Sequence, residues 1–130
     1  MSDILKSLEI SASGMRATSS RLRLTSENLA NSDTPGYRRK VASFEQVFAG
    51  GNETGLVRQG KTHLDQTELP KIYDPSHPLA DSDGYFQGSN VNLMIEIADA
   101  REAQRSYDAN LKMFEQARKM STALLDLLRR

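Results

Sequence analysis

The chain contains no cysteine and no tryptophan. Without cysteine there is no disulfide framework and no thiolate metal site, and the redox compartment stays open. Aromatic side chains are few, with four Phe and four Tyr, and hydrophobic residues make up 38% of the chain, below the share usual in globular domains. Thin helix–helix seams are therefore expected rather than a thick central core. No apolar run reaches the roughly 18 residues that a membrane span requires. The opening Met1-Ser2-Asp3-Ile4-Leu5-Lys6 has neither the basic region nor the apolar stretch of a secretory signal, so the chain is expected to stay in the cytosol or to leave by a route that reads no such signal. Net charge is lacking too: 17 basic and 17 acidic residues cancel. With no dense basic face, nucleic acid is not an expected partner. The charge is nevertheless uneven, with 7 basic against 4 acidic residues over 1–40, 3 against 7 over 41–90 and 7 against 6 over 91–130. Mildly basic ends and an acidic middle allow contacts between copies.

What is present is helical periodicity at both ends. At 130 residues the chain is one domain by size. Residues 2–32 read as one helix, with Ser2 able to cap it and Asp3 suited to the positive end of the dipole. Leu8, Met15, Leu22 and Leu29 recur at a seven-residue interval, flanked by Ser11, Thr18 and Thr25 and by Ala12, Ser19 and Ser26. Small flanks let another helix approach closely. Residues 91–130 read as a second long helix, capped by Asn90 or Asn92, with Arg129 and Arg130 at the negative end of its dipole. One row on it runs through Leu93, Ile97, Tyr107, Leu111, Phe114, Leu125 and Leu128. A second runs through Ala103, Asn110, Met113, Ala117, Met120, Leu124 and Leu127. One antiparallel partner covers only one row. Tyr107, Leu111, Phe114, Leu125 and Leu128 of the first row are expected to meet Leu8, Met15, Leu22 and Leu29, while Met113, Met120, Leu124 and Leu127 face other copies or related proteins.

The middle is broken by Gly50-Gly51-Asn52, Gly55, Pro70, Pro75, Pro78 and Gly84. Leu56–Gln59 and Lys71–Tyr73 read as short strands, and Val41, Phe44, Val47 and Phe48 as a short helical or extended link. The fold class is mainly α. Two long terminal helices pair as an antiparallel coiled coil, 1–36 and 91–130 form one discontinuous helical core, and 37–90 form a small β-hairpin and irregular segment. Two features resemble chemistry. Gly55-Leu56-Val57-Arg58-Gln59-Gly60-Lys61-Thr62 matches the letters of a phosphate-binding loop, but a polar loop precedes it and Pro70 follows too soon for the helix such a loop needs. Asp74, His77, Asp81 and Asp83 hold metal-compatible groups, but Tyr85 takes a ligand slot and no Glu closes the loop, so turn chemistry is the better reading. No catalytic residue, metal site or cofactor is expected.

The organising stretch is Asn28-Leu29-Ala30-Asn31-Ser32-Asp33-Thr34-Pro35-Gly36-Tyr37. Pro35 disfavours helical geometry at Thr34 and presets a turn, and Gly36 supplies the positive φ of a type II turn over Thr34–Tyr37. Ala30, Asn31, Thr34, Pro35, Gly36 and Tyr37 match the A-N-x-x-T-P-G-Y element of the bacterial flagellar rod and hook proteins. Tyr73-Asp74-Pro75-Ser76-His77-Pro78, Asp81-Ser82-Asp83-Gly84-Tyr85, Asn90-Val91-Asn92 and Ser106-Tyr107-Asp108-Ala109-Asn110 extend the match. The chain thus resembles the proximal-rod members of that family over nearly its whole length, with Gln87-Gly88-Ser89 a small departure. The resemblance implies a structural, non-enzymatic subunit exported by the flagellar type III apparatus without a cleavable signal. It implies assembly with other rod subunits and copies of itself into the periplasm-spanning drive shaft of the basal body. It also implies terminal helices that order on assembly.

Overall fold

The computed structural model describes residues 2–129; Arg130, expected at the end of the second helix, lies outside them. Helix α1 spans Ser2–Ala30 and helix α2 Leu93–Leu128, about 44 and 54 Å of helix at 1.5 Å per residue. Asn92 caps α2: its side-chain oxygen accepts from the N–H groups of Met94 at 3.0 Å and Ile95 at 3.4 Å, satisfying donors that the first turn leaves free. Glu96 sits in that first turn. Among the described residues no helix is long and apolar enough to cross a membrane.

Six short strands lie between the helices: β1 (Lys40–Val41), β2 (Phe44–Ala49), β3 (Asn52–Gln59), β4 (His63–Leu64), β5 (Lys71–Tyr73) and β6 (Tyr85–Gln87). They form three antiparallel pairs, β1–β4, β2–β3 and β5–β6, where a single hairpin was expected. Phe44–Ala49 is a strand, not a helical link, and its partner reaches well beyond Leu56–Gln59. The reason is the turn between them. Gly50 and Gly51 have φ of +58° and +82°, and Ala49 pairs with Asn52. Two successive positive φ values make the two-residue connection whose twist matches paired strands. This hairpin lies on α1, where the Val57 N–H donates to Ser13 Oγ at 3.2 Å.

The two helices meet in opposite senses: Gly14 faces Asn110, Arg21 reaches Asp99, and Asn28 reaches Glu96. The centre of their contact differs from the expected leucine row. On α1 the buried residues are Ser11, Ser13, Gly14, Ala17, Thr18, Thr25 and Asn28, and on α2 they are Glu96, Ala103 and Ala117. Ala103 and Ala117 belong to the row expected to face outward. Leu8, Met15, Leu22 and Leu29 are half-buried along the rim, as are Tyr107 and Phe114. Leu111, Leu125 and Leu128, expected inside the seam, are exposed. Two physical reasons account for this. Small residues let the helix axes approach, which pushes long side chains to the edges of the contact. The register also carries α2 past the start of α1: from Gly14 opposite Asn110, Ser2 falls opposite roughly residue 122 at the common helical rise, leaving the last turns of α2 without a facing helix.

Gly14 is where the approach is closest. A Cβ there would stand 2.7–2.8 Å from the side-chain amide of Asn110. Gly14→Leu is expected to lose about 1–3 kcal/mol of stability through overpacking, and adding Asn110→Ala should recover part of it. Urea unfolding of the purified variants measures both.

Candidate functional site

The feature with most chemistry is a polar junction where the end of α1, the following turn, β1 and the start of α2 converge. Its centre is Asn28, 1% exposed. The Asn28 side-chain oxygen accepts from the Tyr37 hydroxyl and from the Lys40 N–H, both at 2.9 Å. Its amide nitrogen donates to the Lys40 carbonyl at 2.9 Å and to Glu96 Oε2 at 3.4 Å. One side chain thus pairs both backbone groups of Lys40, as a neighbouring strand would. Asn90 bridges two backbone segments nearby. Its oxygen accepts from the Arg39 N–H at 2.6 Å, and its nitrogen donates to the carbonyls of Asp65 at 3.0 Å and Thr67 at 3.2 Å.

Charge fills the rest of the junction. Glu96 is 1% exposed, and a buried carboxylate is costly unless it is paired and hydrogen-bonded. Here Arg39 Nε donates to Glu96 Oε1, and Asn28 covers the other oxygen. Arg39 also donates to Asp99 Oδ2 at 3.2 Å, and Arg21 to Asp99 Oδ1 at 3.4 Å. The Arg21 guanidinium lies 5.6 Å from the Phe44 ring centroid, tying β2 to the same network. Burial, and after it the negative charge of Glu27, holds the Tyr37 phenol above its ordinary value, so Tyr37 remains the donor to Asn28.

The turn has the expected geometry. Gly36 has φ +74°, and the Tyr37 N–H donates to the Thr34 carbonyl at 3.2 Å. Asn31 donates to the Glu27 carbonyl at 2.9 Å and accepts from the Thr34 hydroxyl at 3.0 Å, which closes the helix exit. Ala30 is the last residue of α1, and Pro35 with Gly36 lines a groove against β6. The Gly36 N–H donates to the Gln87 carbonyl at 3.1 Å, and the Asn90 N–H to the Tyr37 carbonyl at 3.3 Å. The turn therefore continues the β5–β6 ladder and hands the chain to α2. Among the other residues singled out, Met15, Tyr107 and Phe114 share a groove between the helices, while Met113, Met120, Leu124, Leu125, Leu127 and Leu128 are exposed.

The two chemistry-like motifs serve as structure. Gly55–Gln59 lies in β3 and runs on to β4, and the next helix starts only at Leu93, so no helix N-terminus meets a phosphate there. In the acidic loop, Asp74 accepts from the Ser76 hydroxyl at 2.6 Å, and Asp81 from the N–H groups of Asp83 at 2.9 Å and Tyr85 at 3.0 Å. The His77 ring stacks on Phe86 at 3.9 Å while its Nδ1 accepts from the Leu79 N–H at 3.1 Å. Among the described residues no three or more His, Asp or Glu side chains gather as a metal-holding group. The roles of Arg39 and Lys40 and the pairing of Glu96 are absent from the sequence reading. Their signal was the seven-residue line Glu96, Ala103, Asn110, Ala117, which places a charge in a row of small residues and asks for a buried partner.

Comparison with known proteins agrees with the turn and the second helix. The family model described as flagella basal body rod protein matches residues 8–38, and the one described as flagellar basal body rod FlgEFG protein C-terminal matches residues 82–127. The chain is 41% identical over 128 residues to the flagellar basal-body rod protein FlgC of Agrobacterium fabrum, covering 93% of this chain and 92% of that one. It is 32% identical to the protein of that name in Salmonella typhimurium, covering 95% and 97%, and 31% identical to that of Bacillus subtilis, covering 93% and 95%.

Two predictions follow from the junction and its neighbouring loop. Glu96→Ala removes one of the carboxylates that hold Arg39, leaving Asp99 as its partner, and is expected to lose about 1.5–3 kcal/mol, the worth of a hydrogen bond to a charged group, whereas Tyr37→Phe removes one neutral hydrogen bond and should lose about 1 kcal/mol; denaturant unfolding ranks them. For the loop, the Tyr85 N–H first, and the Ser76 hydroxyl likewise, hold the Asp81 and Asp74 carboxyls below the usual range. A depressed folded value contributes stability above the unfolded carboxylate pKa, near 4, and that contribution is lost as pH falls through the folded value. The Tyr85 amide resonance should therefore move only in an acid titration below about pH 4, and Asp81→Asn should abolish that step.

Proposed function

The chain belongs to the flagellar basal-body rod proteins of the FlgC kind, and from that premise we propose that it is a structural subunit of the rod that assembles through its terminal helices. One observation carries the proposal. The contact between α1 and α2 is lined by small and polar residues, while Met113, Met120, Leu124, Leu125, Leu127 and Leu128 stand exposed on α2. Burying such side chains is worth on the order of 1.5–3 kcal/mol each. A helix that leaves these six apolar side chains in water gains that stability from neighbouring subunits.

In this reading α1 and α2 pair as an antiparallel coiled coil, and residues 1–36 with 91–130 form the assembling unit. Residues 37–90 are a small outer module. Met15, Leu22, Tyr107 and Phe114 support the pair from its rim; Met113, Met120, Leu124 and Leu127 meet other subunits. The Thr34–Tyr37 turn fixes where the module leaves the helices. The partners are other rod subunits and further copies of this chain. The flagellar type III apparatus delivers it to the periplasmic part of the basal body. The chemistry required is packing, and no cofactor enters it.

Hydrogen exchange tests the reading. Amides of residues 2–30 and 93–128 should exchange measurably faster in the purified monomer than after the chain is incorporated into isolated basal bodies. Equal protection in both states would mean a self-sufficient globule and would sink the proposal.

A further inference from the structure

Two apolar surfaces lie far apart on this molecule, and their charges are opposite. The first is the face of β5–β6, where the Tyr73 and Tyr85 rings pack at 5.1 Å between centroids, tilted by 58°. Beside it a groove of about 470 Å³ is lined by Leu79, Tyr85, Lys71 and Asp81, with Pro35 and Gly36 at its edge. Tyr73 and Leu79 are each 64% exposed. This module is acidic, since residues 68–87 carry Glu68, Asp74, Asp81 and Asp83 against Lys71 alone. The second surface is the last two turns of α2, where Leu127 and Leu128 are 63% and 76% exposed. That end is basic, since residues 118–130 carry Arg118, Lys119, Arg129 and Arg130 against Asp126 alone.

We propose that the leucine-rich, basic end of α2 docks into the groove beside β5–β6, which the acidic segment 68–87 surrounds, on a second copy of this chain. The proposal rests on the rod-subunit reading and adds to it which surfaces meet. The chain's own tail is excluded by distance. α2 is one unbroken helix from Leu93 to Leu128, so Leu127 stands about 50 Å along the helix from Leu93. Gln87 at the groove is tethered to Leu93 by a segment that spans at most about 20 Å. The gap leaves roughly 30 Å that only another molecule crosses. Tail and groove are different patches, so the contact is head-to-tail; such contacts propagate into an open chain or helix instead of closing as a dimer. Opposite charges around apolar centres set its orientation.

The natural absence of cysteine makes the test clean. Basal bodies carrying a Leu79→Cys/Leu127→Cys chain, treated with a short bifunctional thiol crosslinker, should yield a ladder of covalent multimers, and either single variant alone should stay monomeric. No ladder, dimers from the single variants, or adducts of Leu79→Cys with a different rod protein would each overturn the second-copy assignment. A chain of natural sequence absent from basal bodies would instead overturn the rod-subunit reading itself. Charge reversal provides an independent arm. Glu68→Lys/Asp83→Lys and Arg129→Glu/Arg130→Glu should each lower incorporation about five- to tenfold, the effect of losing two exposed ion pairs, and the two together should restore it. Additive losses would count against the proposal even where the crosslink is found.

Discussion

A buried carboxylate governs this structure. Glu96 lies one turn into α2 with almost no solvent contact, and its charge is tolerable only because Arg39 and Asn28 occupy both of its oxygens. Those partners come from the residue just before β1 and from the end of α1. The constraint therefore links three segments that are distant in sequence, and it fixes where the two long helices cross. Buried ion pairs are weak sources of net stability but strong penalties against the wrong arrangement. Sliding α2 along α1 by one turn would take the buried Glu96 carboxylate away from both Arg39 and Asn28. A seam of small residues has few interlocking side chains to resist such a slide. The polar junction at one end and the Gly14–Asn110 notch near the middle supply the resistance that packing does not.

The same junction explains why the turn motif has the letters it has. Asn28 acts as a surrogate strand for Lys40, and Asn90 accepts from the Arg39 N–H, so the chain can leave α1 and re-enter beside α2 without stranding backbone groups. Gly36 supplies the left-handed bend, and its N–H joins the end of β6. Tyr37 spends its hydroxyl inward on Asn28. Within the chain the motif thus joins the helical pair to the strands.

Both helices, their approximate limits and the turn at Thr34–Tyr37 were legible in the sequence, because local chemistry decides them: periodicity, Pro35 and Gly36. Strands Leu56–Gln59 and Lys71–Tyr73 were legible from β-branched and aromatic residues, but their partners were not. Phe44–Ala49 has mixed patterning, and Tyr85–Gln87 is three residues long; pairing is a tertiary fact that local propensity does not carry. The seam was misplaced for a related reason. Hydrophobic periodicity marks the largest side chains, whereas the closest helix contact selects the smallest. Leu8, Met15, Leu22 and Leu29 drew attention, while Ser11, Gly14, Thr18 and Thr25 one row away made the contact. The Glu96–Arg39 pair joins residues 57 positions apart, a coupling that single-sequence spacing does not register.

The unusual seam has a consequence for assembly. Among the described residues the buried apolar side chains are Ala17, Ala103, Ala117 and Leu69, and three alanines give little hydrophobic stabilisation. A chain with so small a core must order two helices of 29 and 36 residues against a backbone entropy cost of about 1–2 kcal/mol per residue. Helix propensity and the polar junction offset part of that cost, and the exposed leucines and methionines of α2 hold the remainder in reserve. The register of this helix pair is fixed by directional polar contacts; in the proposed assembly, neighbouring subunits supply the rest of its stability by covering the exposed leucines and methionines of α2.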